Sequence, residues 1–259
     1  MDESLSSPGT VLITGAARRI GRAIALDFAG RGWRVAIHCH RSAVDAASLA
    51  REITSSGSTA QVLKADLSDP AEVEALIPQC TAAIGAPTCL INNASMFLYD
   101  ALTGLDPQQW DAQLAVNLKA PVFLTKSFAQ HLPADATGNV INMLDQRVLK
   151  PTPHFFSYAV AKSALWSATQ TMAQALAPRI RVNAIGPGPV LASPHQSPDQ
   201  FAGQSAATLL QRSTSPAEIA AAIRFILDAP ALTGQMIALD GGQHLGWQTP
   251  DVLVAADKG

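Results

Sequence analysis

Short apolar runs alternate with longer amphipathic stretches along most of the chain, and this alternation limits the fold more than any other feature. Residues 11–13 form a β-branched and aliphatic run that ends at Gly15, and apolar residues at helical spacing follow from Ile20 to Phe28. Strands are predicted at 11–13, 34–38, 61–65, 89–92, 139–144, 181–185 and 235–239, and helices at 20–28, 43–55, 107–131 and 157–177, with two more that begin near Pro70 and Ser215. Because crossovers between parallel strands are right-handed, helices cover both faces of such a sheet. We therefore predict a doubly wound α/β fold with a mostly parallel, seven-stranded sheet.

The composition favours one domain and excludes several classes of partner. With 259 residues, 48% of them hydrophobic, the chain can bury a large core, and we expect a single domain over residues 1–259. The net charge of −2 comes from 18 basic and 20 acidic residues without a long like-charged run. Neither nucleic acid nor a membrane surface is therefore an expected partner.

The N-terminus, cysteines and histidines indicate a cytoplasmic protein without a bound metal. Residues 1–4 are acidic and polar, unlike a secretory signal, and no apolar run is long enough to cross a bilayer. The three cysteines are widely spaced and odd in number, and the six histidines lack metal-ligand grouping. We expect a cytoplasmic location, with neither a disulfide framework nor a metal site.

Residues 186–214 interrupt the alternation. This stretch is rich in Pro, Ser and Gln and shows little periodicity. Long irregular segments are uncommon inside a compact domain and usually serve a function. We predict a substrate lid over residues 186–214.

The turn after the first strand reads Thr-Gly-Ala-Ala-Arg-Arg-Ile-Gly over residues 14–21. A glycine-bearing turn between a strand and a helix lets backbone N–H groups approach a pyrophosphate at the helix N-terminus. The turn therefore indicates a dinucleotide site. A tight connection without a ligand would have a similar sequence, so the turn alone is weak evidence.

The residues after the second strand favour NADP(H) over NAD. Enzymes that prefer NAD commonly place a carboxylate here to hold the ribose 2′-hydroxyl, yet from His38 onward the first acidic residue is Asp45. A 2′-phosphate would instead meet Arg41, with Ser42 and His40 as hydrogen-bond donors. The alternative is that Arg41 is only a solvated side chain at a strand end.

Tyr158 and Lys162 lie four residues apart in a predicted helix, so both side chains can reach the same pocket. A nearby ammonium group favours phenolate, so we expect Lys162 to lower the pKa of Tyr158 and to bring proton transfer closer to neutral pH. The same spacing is also common in ordinary amphipathic helices.

Five motifs occur in the order found in short-chain dehydrogenases/reductases, and the chain resembles that family over nearly its whole length. They are the glycine turn, Asn92-Asn93-Ala94-Ser95, Asn117, Tyr158-Ala159-Val160-Ala161-Lys162 and Ile185-Gly186-Pro187-Gly188. The resemblance implies a Rossmann domain in which Tyr158 is the general acid/base, Lys162 binds the nicotinamide ribose and tunes Tyr158, and Asn117 holds a water in a proton relay. It also implies an NADP(H) site in which Asp66 faces the adenine. The implied cofactor-binding residues are Gly15, Arg18, Arg19, Ile20, Gly21, His40, Arg41, Ser42, Asp66, Leu67, Asn93, Ala94, Ser95, Tyr158, Lys162, Pro187 and Gly188. Any one of these residues can instead be structural: Asn117 as a helix brace, for example, and the Pro-Gly pair as a turn.

Two positions depart from the common pattern of the family. Arg19 replaces the middle glycine of the turn, and Asp145 stands thirteen residues before Tyr158, where a substrate-orienting serine is usual. These departures resemble pteridine reductases, as do His40-Arg41-Ser42 and the segment Asn93-Ala94-Ser95 with Phe97. Within that group, residues 233–235 and 240–245 are similar to those of bacterial dihydromonapterin reductases.

The resemblance implies NADPH-dependent reduction of a dihydropterin, such as dihydromonapterin, dihydrobiopterin or dihydrofolate. Reducing the C=N bond needs hydride at carbon and a proton at ring nitrogen. Asp145 can accept hydrogen bonds from ring N–H groups or, if protonated, supply the proton, and Phe97 can stack on the ring unless it is simply a core residue. Arg19 can reach both the substrate and a cofactor phosphate. The implied substrate residues are Arg19, Ser95, Phe97, Asp145 and Tyr158.

Two alternatives stay open. One is a carbonyl or 3-oxoacyl reductase of the same fold, and the other is an NADPH-binding sensor without turnover. The family resemblance also implies a homotetramer built partly on the two long helices; the alternative is that these helices pack only on their own sheet.

Overall fold

The computed structural model describes residues 8–193 and 196–249. Its seven strands form one parallel sheet in the order β3-β2-β1-β4-β5-β6-β7. The strands are β1 (Thr10–Ile13), β2 (Arg34–Cys39), β3 (Ala60–Lys64), β4 (Cys89–Asn92), β5 (Gly138–Met143), β6 (Ile180–Pro187) and β7 (Met236–Leu239). The helices are α1 (Arg19–Ala29), α2 (Ala43–Ser55), α3 (Pro70–Ile84), α4 (Pro107–Leu114), α5 (Ala120–His131), α6 (Phe156–Leu176), α7 (Pro198–Ala206) and α8 (Pro216–Asp228). The predicted doubly wound, seven-stranded parallel sheet is confirmed.

The sheet is buried on both faces. Successive side chains of a strand point to opposite faces and so enter different hydrophobic clusters. Val11 and Ile13 belong to one hydrophobic cluster, whereas Leu12 between them belongs to the other. All three side chains are fully buried. The strand order reverses between β1 and β4, and in such sheets ligands bind at the carboxyl ends of the strands beside this reversal.

The long helix predicted over 107–131 is interrupted. A π-helical turn, Ala115–Lys119, separates α4 from α5, and it carries Asn117. One extra residue in a turn rotates the side chains that follow it, and such turns are frequent at functional sites. The periodicity of apolar residues does not reveal a single widened turn.

The lid predicted over 186–214 is not irregular throughout. Residues 186 and 187 complete β6, and α7 occupies Pro198–Ala206. The helix begins with a capping box, in which Ser197 Oγ accepts from the N–H of Gln200 and Gln200 Oε1 accepts from the N–H of Ser197. The irregular interpretation was therefore wrong for this stretch, because α7 is short and has no fully buried face.

Within the described ranges, no helix is both long and apolar enough to cross a membrane. The same residues contain no group of three or more His, Cys, Asp or Glu side chains placed to hold a metal ion. On the second long helix, Ala161 and Leu165 are fully buried within this chain, so they cannot contact another subunit. The homotetramer stays a prediction.

Candidate active site

The turn between β1 and α1 is held by two other segments, β2 and the residues after β4. Gly15 has a φ of +63°, a conformation that side-chain-bearing residues rarely adopt. Its N–H donates to His38 Nδ1 at 3.1 Å, and Asn93 Nδ2 donates to the carbonyls of Thr14 and Gly15 at 2.8 and 3.2 Å. A Cβ at Gly21 would lie 2.5 Å from the Gly15 carbonyl oxygen, so only glycine fits there. The predicted turn residues are thus fixed by neighbouring strands.

The N-terminus of α1 suits an anion. Arg18 occupies the N-cap without a side-chain hydrogen bond to the helix, and the first turn contains no acidic residue. The first N–H groups of a helix lack partners within it and carry partial positive charge. A dinucleotide diphosphate fits this end of α1 on both counts, with the turn residues and Ile20 as its nearest protein groups.

Arg19 contacts the segment after β6. It has a φ of +55°, and its guanidinium donates to the carbonyls of Leu191 and Ala192 at 3.0 and 2.8 Å. Arg19 therefore ties the turn after β1 to the segment after β6. Its side chain also lines the cleft described below, whereas its contact with a phosphate stays a prediction.

The residues predicted to read a 2′-phosphate meet at the carboxyl end of β2. Arg41 is exposed, and Ser42 caps α2 without a side-chain hydrogen bond to that helix. Arg18 reaches the same place, since its Nη2 lies 2.5 Å from Asp45 Oδ2 in the first turn of α2. The only carboxylate in that first turn is thus already paired with an arginine.

Asp66 and Leu67 follow β3 next to this edge. Asp66 Oδ1 accepts from the N–H and the hydroxyl of Ser68 at 2.9 and 2.7 Å, and these hydrogen bonds lower the pKa of Asp66. His40 Nε2 lies 3.4 Å from Asp66 Oδ2, and Leu67 is buried. The contact of Asp66 with an adenine ring stays a prediction.

The predicted catalytic side chains meet at the carboxyl end of β5. Tyr158 Oη donates to Asp145 Oδ2 at 3.0 Å. Asp145 also accepts from Arg147, through its N–H at 2.8 Å and its Nη1 at 3.0 Å. Lys162 Nζ donates to the Met143 carbonyl at 2.7 Å and lies 5.6 Å from the centre of the Tyr158 ring. The expected phenol, ammonium and carboxyl groups therefore share one site.

The predicted direction of the Tyr158 pKa was wrong. Burial, and next the charge of Asp145, raise the pKa of Tyr158 well above its ordinary range. Burial also lowers the pKa of Lys162 to about 8, although Asp145 opposes this change. The lysine does not offset the burial of the phenol in this arrangement. Tyr158 is therefore held as a protonated hydrogen-bond donor to Asp145.

Phe97 belongs to an aromatic cluster beside Tyr158. Its ring stacks on Phe155 with centroids 4.1 Å apart and meets Tyr158 edge-on at 4.7 Å. The Arg147 guanidinium lies 5.5 Å from the Phe97 centroid. Phe97 is only half-buried, so part of the ring stays open to the cleft. Sequence reasoning missed Phe155 and Arg147, for which no motif exists.

Asn117 braces the segment that follows β4. Its Oδ1 accepts from Ser95 Oγ at 2.9 Å and from the N–H of Met96 at 3.1 Å, and its Nδ2 donates to the Met96 carbonyl at 2.7 Å. This is the structural role that the sequence left open. A role in a water relay stays a prediction.

Asp100 anchors the helix that carries Tyr158, and sequence reasoning missed it. Its Oδ1 accepts from the N–H of Ser157 at 3.1 Å, its Oδ2 accepts from the Ser157 hydroxyl, and Gln113 Nε2 donates to Oδ2 at 3.3 Å. Asp100 is only 6% exposed. A carboxylate at a helix N-terminus stabilises that helix, and here it fixes the residue next to the phenol.

Asp145, Tyr158 and Lys162 open onto a cleft of about 420 Å³, a volume typical of small-molecule sites. Ten of the predicted residues line it: Arg19, Ile20, Asn93, Ser95, Phe97, Asp145, Tyr158, Lys162, Pro187 and Gly188. The predicted residues outside its lining are Gly15, Arg18, Gly21, His40, Arg41, Ser42, Asp66, Leu67, Ala94 and Asn117. A Cβ at Gly188 would lie 2.7 Å from Asp240 Cα, so the turn after β6 requires glycine. The remaining lining includes residues of α7 that sequence reasoning did not single out.

The family model described as short chain dehydrogenase matches residues 9–200. The chain therefore belongs to the short-chain dehydrogenase family of oxidoreductases, as the order of its motifs predicted. The doubly wound, seven-stranded parallel sheet agrees with this assignment.

Solved structures with about half of their residues identical include FolM alternative dihydrofolate reductase 1 from Brucella canis, in complex with NADP. It is 49% identical with a TM-score of 0.92, and the alignment covers 94% of this chain and 96% of that one. The protein of the same name from Brucella suis, also with NADP, is 50% identical with a TM-score of 0.91, at 95% and 98% coverage. Among curated sequences, a 3-oxoacyl-[acyl-carrier-protein] reductase of Synechocystis is 30% identical over 240 residues, which cover 89% of this chain and 95% of that protein.

Proposed function

We propose that the protein reduces a dihydropterin to its tetrahydro form with NADPH as the hydride donor. The observation that carries this proposal is the hydrogen bond of 3.0 Å from Tyr158 Oη to Asp145 Oδ2 inside the cleft. A carboxylate at this position suits a substrate with N–H groups, because it can only accept hydrogen bonds when ionised.

The cofactor is NADP(H). Two relatives with about half of their residues identical were solved with NADP, and a third, a blue fluorescent protein that is 27% identical, was solved with NADPH. This chain supplies an uncapped helix N-terminus for the diphosphate. We assign the 2′-phosphate to Arg41 and Ser42, at a strand end where the carboxylate of Asp45, in the first turn of α2, is paired with Arg18. We assign the nicotinamide ribose to Lys162.

The bound NADPH supplies a hydride for the ring carbon of the C=N bond, and the protein's own residues manage the proton. Tyr158 is the proton source for the ring nitrogen, since burial and Asp145 keep the phenol protonated. Asp145 accepts from the ring N–H groups, and Arg147 holds that carboxylate in place. Phe97 packs on the flat ring. Overall, one dihydropterin, one NADPH and one proton give one tetrahydropterin and one NADP⁺.

Reduction of a 3-oxoacyl group is the second candidate, and the similarity to 3-oxoacyl reductases favours it. Against it, a carboxylate at position 145 would face the oxygen of a carbonyl substrate and repel its developing negative charge. The solved relatives named as dihydrofolate reductases also share a larger fraction of identical residues.

The test is to follow NADPH oxidation with a dihydropterin, with a 3-oxoacyl thioester and with simple ketones. We expect turnover of the dihydropterin alone. Turnover of the oxoacyl substrate without any effect of dihydropterins would overturn the proposal, and NADPH binding without turnover of any substrate would favour the sensor.

The chain offers matched controls for the roles of Tyr158 and Asp145. Tyr99 is the only other tyrosine, and its hydroxyl contacts His154 instead of Asp145. We expect Tyr158→Phe to lower kcat by at least about 100-fold, because a general acid contributes roughly that much, and Tyr99→Phe to leave kcat nearly unchanged. Asp145→Ser should lower dihydropterin turnover while NADPH affinity is retained.

A further inference from the structure

Arg147 touches several parts of the site at once, although no motif singled it out. It stands two residues after Asp145, in the short helical turn that follows β5. Its guanidinium donates to the Asp145 carboxylate and lies 5.5 and 5.6 Å from the ring centres of Phe97 and Phe155. One side chain therefore links the carboxylate beside Tyr158 to the aromatic pair of the cleft.

The hydrogen bonds of Asp145 leave one acceptor position open. An ionised carboxylate accepts hydrogen bonds at about four positions, which its two oxygens share. Oδ2 accepts from Tyr158 Oη and from Arg147 Nη1, each at 3.0 Å, and Oδ1 accepts from the N–H of Arg147 at 2.8 Å. The position that remains belongs to Oδ1. A substrate can therefore give Asp145 a single N–H without displacing a donor of the protein.

The Asp145 carboxylate lies largely out of solvent, so its counter-charge matters. Its side chain is 14% exposed, and that of Arg147 is 20% exposed. A carboxylate in such surroundings stays ionised when a cation and hydrogen bonds accompany it, and takes up a proton more readily when they do not. Lys162, whose pKa burial lowers to about 8, also lies near the site, but its ammonium donates to the Met143 carbonyl. Arg147 is the cation that contacts Asp145 directly.

The charge of Arg147 also acts on the phenol of Tyr158. Burial and the charge of Asp145 raise the pKa of Tyr158, whereas Arg147 lowers it. The polar and charged groups around the phenol are Asp145 and Arg147 after β5, Ser95 after β4 and Lys162 one turn along α6. A general acid must hold its proton until the substrate is bound and must then release it. Asp145 serves the first need, and Arg147 serves the second.

We propose that Arg147 is a positioning residue that couples recognition of the ring to delivery of the proton. It keeps Asp145 charged, with one open acceptor position, and it fixes this carboxylate relative to the Phe97 ring. A hydrogen bond to a carboxylate makes that carboxylate a weaker base. A ring N–H on Oδ1 therefore loosens the hold of Asp145 on the Tyr158 proton, which then passes from Oη to the ring nitrogen.

This inference rests on the proposed function, and its test compares the wild type with Arg147→Lys and Arg147→Gln. Lysine keeps the positive charge without the planar fork, whereas glutamine keeps N–H donors without the charge. Both variants retain the main-chain N–H that binds Asp145 Oδ1. The readout is the pH profile of kcat/KM for a dihydropterin at saturating NADPH, from about pH 5 to pH 8, because its acid limit reports groups that ionise before the substrate binds.

We expect the acid limit of Arg147→Gln to lie about one pH unit above that of the wild type, because removal of a nearby opposite charge favours the protonated carboxyl group. Arg147→Lys should keep the wild-type limit. Both variants should raise KM by roughly three- to tenfold at neutral pH, as expected when one hydrogen bond is weakened, while the dissociation constant of NADPH is unchanged. Other groups that titrate in this range are common to all three proteins and cancel in the comparison.

Arg31→Gln is the matched control. Arg31 forms an exposed ion pair with Asp27 at 3.5 Å and does not line the cleft, so its replacement should change neither the acid limit nor KM.

The outcomes distinguish this inference from the proposed function. An unshifted acid limit in Arg147→Gln, an equal shift in Arg147→Lys, or an unchanged KM in both variants overturns the role of Arg147 and leaves dihydropterin reduction in place. No turnover of a dihydropterin by the wild type overturns the proposed function and this inference together.

Discussion

His38 couples the glycine turn to pH, and its protonation should destabilise the protein. The side chain is only 2% exposed. Its Nδ1 accepts from the N–H of Gly15 at 3.1 Å, which assigns the proton to Nε2, and Nε2 in turn donates to the Ala65 carbonyl at 3.0 Å. Protonation would place a second N–H opposite the N–H of Gly15. The ring would then keep one hydrogen bond and lose the one that holds the turn.

Burial is the main reason why the pKa of His38 falls from 6.5 to about 4. His40 lowers it further, while the Ala65 carbonyl and the Asp66 carboxylate oppose the shift. The folded protein therefore binds this proton less tightly than the unfolded chain. The contribution to stability is complete above about pH 6.5 and is lost as the pH falls toward 4. Each unit of pKa corresponds to about 1.4 kcal/mol, so the loss is about 2 kcal/mol at pH 5 and about 3 kcal/mol below pH 4.

The assay is urea unfolding at about pH 7.5 and pH 5 for the wild type and for His38→Asn, which cannot titrate at this position. Other groups titrate in the same range and affect both proteins, so the quantity of interest is the difference between their pH dependences. We expect the wild type to lose about 2 kcal/mol more than the variant between the two pH values. His131→Asn, at an exposed histidine, is the control for removal of any imidazole and should behave as the wild type.

The affinity for NADPH should fall in the same pH window, because a loosened turn no longer holds the N–H groups that meet the diphosphate. A 2′-phosphate itself changes charge near pH 6, so the comparison must again be made with His38→Asn. Equal pH dependence of unfolding in the wild type and in His38→Asn, or an NMR titration of His38 near pH 6.5, would refute this reasoning.

Three further predictions concern other parts of the site. Arg41→Asp should lower the affinity for NADPH at least about tenfold relative to NADH, since it replaces a charge-assisted hydrogen bond with repulsion; an unchanged ratio of the two dissociation constants would locate the phosphate elsewhere. Asp100→Ala should lower the free energy of unfolding by about 3–5 kcal/mol, because it leaves the buried N–H of Ser157 without its acceptor, whereas Asp100→Asn should cost less; similar urea midpoints for all three proteins would contradict this. Arg19→Gly relieves a positive φ but removes the link to the segment after β6, so we expect KM for the substrate to rise several-fold with little change in stability, and an unchanged KM would exclude a role for that link.

Most of the fold could be predicted from the sequence because each strand of a doubly wound sheet is a short apolar run. The runs at 11–13 and 89–92 fall within a residue of β1 and β4. The same pattern explains where the site lies, since the carboxyl ends of parallel strands lie at one edge of the sheet, whereas the site residues themselves were implied by the family resemblance. That geometry brings Asp145, after β5, to Tyr158 on the next helix.

Other parts of the site depend on contacts that no local pattern records. Asp100 meets Ser157 across 57 positions of sequence, and the acid belongs to no motif. Gln200 and Gln204 lie on a helix that has no fully buried face, so apolar periodicity does not predict it. The four-residue spacing correctly predicted that Lys162 lies near Tyr158. It does not show how deeply the phenol is buried, and burial decides the direction in which the pKa of Tyr158 shifts.

After burial, the charge of Asp145 is the second reason why the pKa of Tyr158 rises. A serine there could donate to a phenolate and would favour the charged form, whereas a carboxylate can only accept and therefore favours the protonated phenol. Replacement of Asp145 by Ser removes a negative charge and adds a donor, and both changes lower the pKa of Tyr158. If Asp145 keeps Tyr158 protonated for reduction, Asp145→Ser should shift the pH profile of kcat to lower pH in the reductive direction, because the acid form is then lost earlier as the pH rises. An unshifted profile would mean that burial alone keeps the proton on the phenol and that Asp145 serves only to recognise the substrate.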